Sequence, residues 1–98
     1  MQEKVKQLVE RYGLTADKES RYIDLIAQAG DLGKALLGSS DYGLRELSVS
    51  EDIKEEAGNL LFSLLALLND FDIDENEVLD QVIARYEERM KEVLGEED

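Results

Sequence analysis

Ile53 to Phe71 reads IKEEAGNLLFSLLALLNDF, and the reading of this stretch decides the fold. Ile53, Ala57, Leu60, Leu61, Leu64, Leu65, Leu67 and Leu68 spread most of the way round a helical wheel, which is the pattern of a helix packed on more than one side. A polar stripe interrupts that apolar surface. Asp52, Glu56, Asn59 and Ser63 follow one another at spacings of four, three and four, so a helix sets them in one line down a single face.

The flanking segments carry helical signals of the same kind. Val5, Leu8 and Val9 lie at helical spacing between Gln2 and Tyr12, and Gly13 stands where a C-cap belongs. Thr15 or Asp17 caps a second helix that reaches about Leu37, with Tyr22, Ile26, Ala29, Leu32 and Leu36 on its core face. Asp24, Gln28 and Asp31 form a polar line beside that face. Gly38 to Val49 is rich in turn formers and too long for a tight connection, so it reads as a loop able to fold over something. Ser48 with Glu51 has the spacing of a capping box and Ser50 competes as N-cap, which places the start of the third helix there and its end near Asp70. Asp74 with Glu77 repeats the signal ahead of Val78, Leu79, Val82, Ile83, Tyr86 and Met90, a fourth helix ending about Leu94. Residues 95–98 read as a frayed tail. No β-branched run bounded by turns reads as a strand, so residues 1–98 are expected to form a single all-α domain.

Composition narrows the chemistry. The chain has 98 residues, close to the size at which one subunit buries a core with little margin, and a partner subunit would help it. With no cysteine and no histidine it lacks a thiolate nucleophile, a zinc–sulfur site and the commonest general base, so catalysis falls to carboxylates, hard metal ions or both. A net charge of −13 argues against nucleic acid and anionic membranes as partners, because phosphate binding relies on clustered Lys and Arg. The leucine-rich run is too short to span a bilayer and the first residues hold no apolar signal-peptide core, so a soluble, cytoplasmic protein is expected.

If the second and third helices pack antiparallel, their two polar lines meet. Acidic and amide oxygens gathered between helices suit Mg²⁺, which takes octahedral oxygen ligation and commonly one or two carboxylates plus substrate phosphates.

The order of these residues resembles the MazG-like family of all-α nucleotide pyrophosphohydrolases. The resemblance spans nearly the whole chain. Where the family shows a second-helix motif like EEVGELAKALL, this chain has AQAGDLGKALL from Ala27 to Leu37; where the family shows EELGDVLFxLLALA, it has EEAGNLLFSLLALL from Glu55 to Leu68. A short D-x-D turn and a last helix ending in a KYEER-like sequence are matched by FDIDENEVLDQVIARYEERM. The resemblance implies a four-helix MazG-like bundle completed by dimerisation, as a dimer or a dimer of dimers.

Carried over residue by residue, the metal positions fall on Gln28, Asp31, Glu56 and Asn59. Two of these are acids and two are amides. Glu55 keeps the extra acid of the second motif, whereas its counterpart in the first is Ala27. The resemblance thus implies Mg²⁺, with Mn²⁺ as a substitute, held more weakly than by the intact motif, with Glu55 and Glu56 in the catalytic roles. A nucleoside triphosphate would be split to the monophosphate and pyrophosphate, with Lys34, Lys54 and Arg85 as phosphate contacts and Tyr42 as a stacking group. Read from the residues alone, surface ion pairing is the default for the cations, and Tyr42 equally suits a loop aromatic that packs down. Two functional readings follow: a pyrophosphohydrolase of reduced or lost activity, and a non-catalytic dimeric helical module that binds a nucleotide or a protein.

Overall fold

The computed structural model describes residues 1–95, which form four helices: α1 (Gln2–Tyr12), α2 (Lys18–Ser39), α3 (Glu51–Asp70) and α4 (Glu75–Leu94). There is no strand among the described residues. The expected fraying of the tail falls, beyond Gly95, outside them.

Local chemistry sets each boundary. Gly13 takes a left-handed φ of 63° and returns its N–H to the end of α1. Asp17, rather than Thr15, caps α2 by accepting from the Ser20 N–H at 2.7 Å. Ser50, rather than Ser48, caps α3 by accepting from the Ile53 N–H, and Asp74 caps α4 by accepting from the Asn76 N–H. At the far end of α4, Gly95 adopts a left-handed φ of 72° and donates its N–H to the Glu92 carbonyl. The second helix runs on to Ser39, past the expected end at Leu37: Ser40 returns its N–H to the Leu36 carbonyl and Ser39 Oγ meets Ser50 Oγ, contacts that offset the helix cost of Gly38.

The extensive helix–helix packing is confined to α2 with α3 and α1 with α3. The leucine-rich helix is therefore the central element. Its Leu65 and Ala66 join Val5 of α1 in a small buried core, with Val9, Phe62 and Leu68 packed around it. Three polar ties fix α2 antiparallel to α3: Arg21 Nε to Asp70 Oδ2 at 2.8 Å at one end, Ser63 to Asp24 within the pair, and Ser39 Oγ to Ser50 Oγ at 3.0 Å at the loop end. Arg21 also donates from Nη2 to the Leu14 carbonyl, tying in the α1–α2 connection.

A fourth tie sits at the other corner. Gln2 donates its amide to Asn69 Oδ1 and to the Ile73 carbonyl and accepts from the Glu75 N–H, while Asn69 donates back to the Gln2 carbonyl. One side chain thereby holds the start of α1, the end of α3 and the first turn of α4. Beyond that turn α4 is not among the packed pairs, and Leu79, Ile83, Tyr86 and Met90 on its apolar face remain exposed. The four helices thus do not close into a bundle within one chain. No helix among the described residues is long and apolar enough to cross a membrane.

Candidate functional site

The two polar lines read from the sequence meet at one recorded contact. Asp24 on α2 accepts the hydroxyl hydrogen of Ser63 on α3, and its other oxygen accepts from the Gln28 side-chain amide at 3.3 Å. The three cross-ties set an antiparallel pairing in which Gln28 falls level with Asn59 and Asp31 level with Glu56. All four residues assigned to metal by the family resemblance thus occupy adjacent levels of one helix pair.

Burial separates them. Ser63 is 4% exposed and closes the inner end of the line. Gln28 and Glu56 are half-buried, whereas Asp31, Asn59, Glu55 and Asp24 are exposed. Glu56 Oε2 is buried and has no hydrogen-bond partner among the described residues. That oxygen is the least satisfied group of the pair, since a buried carboxylate oxygen is stable only with a donor or a cation beside it. Among the described residues no three acidic side chains draw together closely enough to hold a metal ion. In kind, the oxygens of Asp31, Glu56, Gln28 and Asn59 suit Mg²⁺; in number, two carboxylates suit an ion that arrives already bound to phosphate oxygens.

The backbone beside these positions is open. Gly30 precedes Asp31 and Gly58 precedes Asn59, each in mid-helix, and a Cβ added at either would meet nothing within 4 Å. Among the described residues nothing fills the space beside these glycines.

The four expected substrate contacts are dispersed. Lys54 pairs with Glu51 one turn away at 3.2 Å, with both side chains largely exposed, a contact of small energetic weight. Lys34 is exposed on α2 without an ion-pair partner among the described residues. Tyr42 is 76% exposed at the tip of the α2–α3 connection, so it neither packs down nor covers the polar lines. Arg85 lies on α4 beside Val82, Tyr86 and Arg89, away from the α2–α3 contact within a single chain.

Two polar groupings escaped the sequence reading. Arg21 with Asp70, and Gln2 with Asn69, flank a cavity of about 490 Å³ between α1 and the α3–α4 turn, also lined by Lys6, Ala66 and Asp72. Each joins residues about fifty to seventy positions apart, and neither has a periodic signal that would announce it. Among the described residues one carboxyl group is displaced clearly from its ordinary range: Asp17 is held lower, first by the Ser20 N–H and then by the Ser20 hydroxyl, and it belongs to the α2 cap rather than to the polar lines.

Comparison of the chain with protein-family models, with curated proteins and with solved structures finds no match.

Proposed function

We propose that this chain is a MazG-like nucleotide pyrophosphohydrolase whose activity is reduced or lost, acting as a cytoplasmic homo-oligomer on a nucleoside triphosphate. The observation that carries the reading is Glu56 on α3, of which one carboxylate oxygen, Oε2, is buried with no hydrogen-bond partner among the described residues. A cation or a water bound to one would complete that oxygen. Asp31 stands at the same level on the facing helix, and the open backbone at Gly30 and Gly58 leaves room for a ligand beside both.

In this reading Glu56 and Asp31 would hold Mg²⁺ together with the phosphates of the substrate, and Glu55, exposed next to Glu56, would accept a proton from the attacking water. The bound ion supplies neutralisation of the phosphate charge. Gln28 and Asn59 offer an oxygen without a charge, which weakens the affinity for a hard cation. The test is pyrophosphate release over a nucleotide panel with Mg²⁺ and Mn²⁺, on the native chain and on Gln28→Glu with Asn59→Asp. The reading expects slow or absent native turnover and a gain of at least about tenfold in the double variant. Absence of both turnover and metal binding in the double variant overturns it.

The second reading is a non-catalytic dimeric module that binds a nucleotide or a protein. It is favoured by Asp24, which engages both Gln28 and Ser63 and so closes part of the polar line with the protein's own groups. Nucleotide binding that survives Glu56→Gln, with no turnover in any variant, selects this reading.

A further inference from the structure

We propose that Asp24 is a positioning residue: it fixes the side-chain amide of Gln28 so that the carbonyl oxygen, Oε1, is the atom free to meet a cation. The inference rests on the pyrophosphohydrolase reading above and adds a residue to which the family resemblance gives no role.

An ionised carboxylate only accepts hydrogen bonds, so an amide beside it has to present its NH₂ group. Gln28 does so, donating from Nε2 to Asp24 Oδ1 at 3.3 Å. The two residues are four apart on α2, the spacing at which side chains of a helix meet. Nitrogen and oxygen of the amide share one planar carbon, so committing the nitrogen to Asp24 leaves Oε1 facing away from that acid. The reverse orientation would set oxygen against oxygen at Asp24 and offer N–H donors, useless to a metal ion, at the open side.

Asp24 is itself held. Its Oδ2 accepts from the hydroxyl of Ser63, which is 4% exposed and belongs to the facing helix. A chain of two hydrogen bonds thus runs from a buried hydroxyl on α3, through the carboxylate, to the half-buried Gln28 on α2. Both bonds have an ionised acceptor and are about twice as strong as neutral ones, which favours one orientation of the amide over the other. Each oxygen of Asp24 already accepts one hydrogen bond, so Asp24 acts through Gln28 rather than as a ligand. No hydrogen bond orients the other amide, Asn59, among the described residues. Gln28 therefore supplies the oxygen of the missing acid, and Asp24 supplies its orientation and a negative charge from behind, as outer partners of metal ligands do.

Titration of the isotope-labelled full chain with Mg²⁺, followed by NMR at the side-chain carbonyl carbons, tests this. The Gln28 Cδ resonance should move further than the Asp24 Cγ resonance. A larger movement at Asp24 Cγ makes that carboxylate the ligand and overturns the inference. Mg²⁺ binding by the chain with Gln28→Glu and Asn59→Asp, but not by the native chain, overturns it as well and leaves the reading of the site standing. Binding by neither chain ends both.

A variant separates orientation from charge. Asp24→Asn keeps an oxygen for Ser63 but turns an NH₂ group toward Gln28, so the Gln28 amide reverses and aims its nitrogen at the cation. Mg²⁺ affinity should fall by about tenfold or more, with helical circular dichroism unchanged. With Gln28→Glu in place there is no amide to reverse, and the same substitution relieves a like-charge contact. The loss in that background should be smaller by about fivefold or more. Equal losses in the two backgrounds show that Asp24 acts by charge alone and overturn the inference. If Asp24→Asn unfolds, the titration of the native chain decides by the same criterion.

Discussion

Ser63 of α3 donates its hydroxyl hydrogen to the carboxylate of Asp24 on α2, joining the one buried polar side chain of α3 to an exposed acid on the neighbouring helix. Because Asp24 also accepts from Gln28, one carboxylate organises the inner half of the polar contact. Ser63→Ala should lower unfolding stability by about 1.5 kcal/mol, the modest end of the range for a bond to a charged group, because the exposed Asp24 regains water. Urea denaturation with an unchanged slope checks it.

Restoring an acid at position 28 introduces a like charge one helical turn from Asp24 where an amide now donates to it. Gln28→Glu should therefore destabilise the metal-free chain by about 0.5–1 kcal/mol. If the α2–α3 contact binds Mg²⁺, millimolar Mg²⁺ recovers that loss, a rise in melting temperature readable by calorimetry.

Glu56 carries the opposite expectation. Removing its buried and unpartnered oxygen should not weaken the apo chain, so Glu56→Met is expected to leave stability unchanged or raise it by about 1 kcal/mol. The same substitution should abolish any shift of the melting temperature by Mg²⁺. A strongly destabilised Glu56→Met would instead show that the carboxylate has a structural partner.

Gly30 and Gly58 sit in helix interiors with open space where a Cβ would go. Alanine at either should stabilise the isolated chain by about 0.5–1 kcal/mol through helix propensity alone. If a ligand or a second copy approaches the backbone there, the same substitutions weaken that binding while they raise thermal stability, and the two readouts separate.

The α2 cap gives the chain one clear acid dependence. Asp17 has its carboxyl held below its unfolded value of 3.8 by the Ser20 N–H. A lowered folded value means that the cap stabilises fully above the unfolded value and is lost as pH falls through the lower folded one. Asp17→Asn should keep most of the cap while removing this dependence below about pH 4. Comparison of melting temperatures of the two chains between pH 7 and pH 2.5 checks the sign.

The helices themselves were legible because their apolar residues repeat at helical spacing and each carries a recognisable boundary residue, as at Gly13, Ser50 and Asp74. The choice between neighbouring candidates was not, since Thr15 and Asp17, or Ser48 and Ser50, differ only in which side chain reaches the free N–H. The two polar lines were likewise visible, yet whether Asp31 and Glu56 close on a common point depends on the separation and rotation of two helices, which periodicity does not encode. Amphipathicity required the faces of α2 and α4 to be covered without saying by what. Gln2 and Arg21 were invisible because a single long-range polar tie leaves no pattern along the chain.

The connection between α2 and α3 has its two ends latched by Ser39 and Ser50, while Asp41 and Tyr42 turn the chain with left-handed φ of 50° and 57° and Leu44 stands 83% exposed. With the ends held, lengthening the tip adds little closure entropy, about 0.6 kcal/mol for each doubling of its length. The hairpin is therefore a display scaffold: a peptide inserted between Leu44 and Leu47 would be carried clear of the protein body without shifting the helices beneath it.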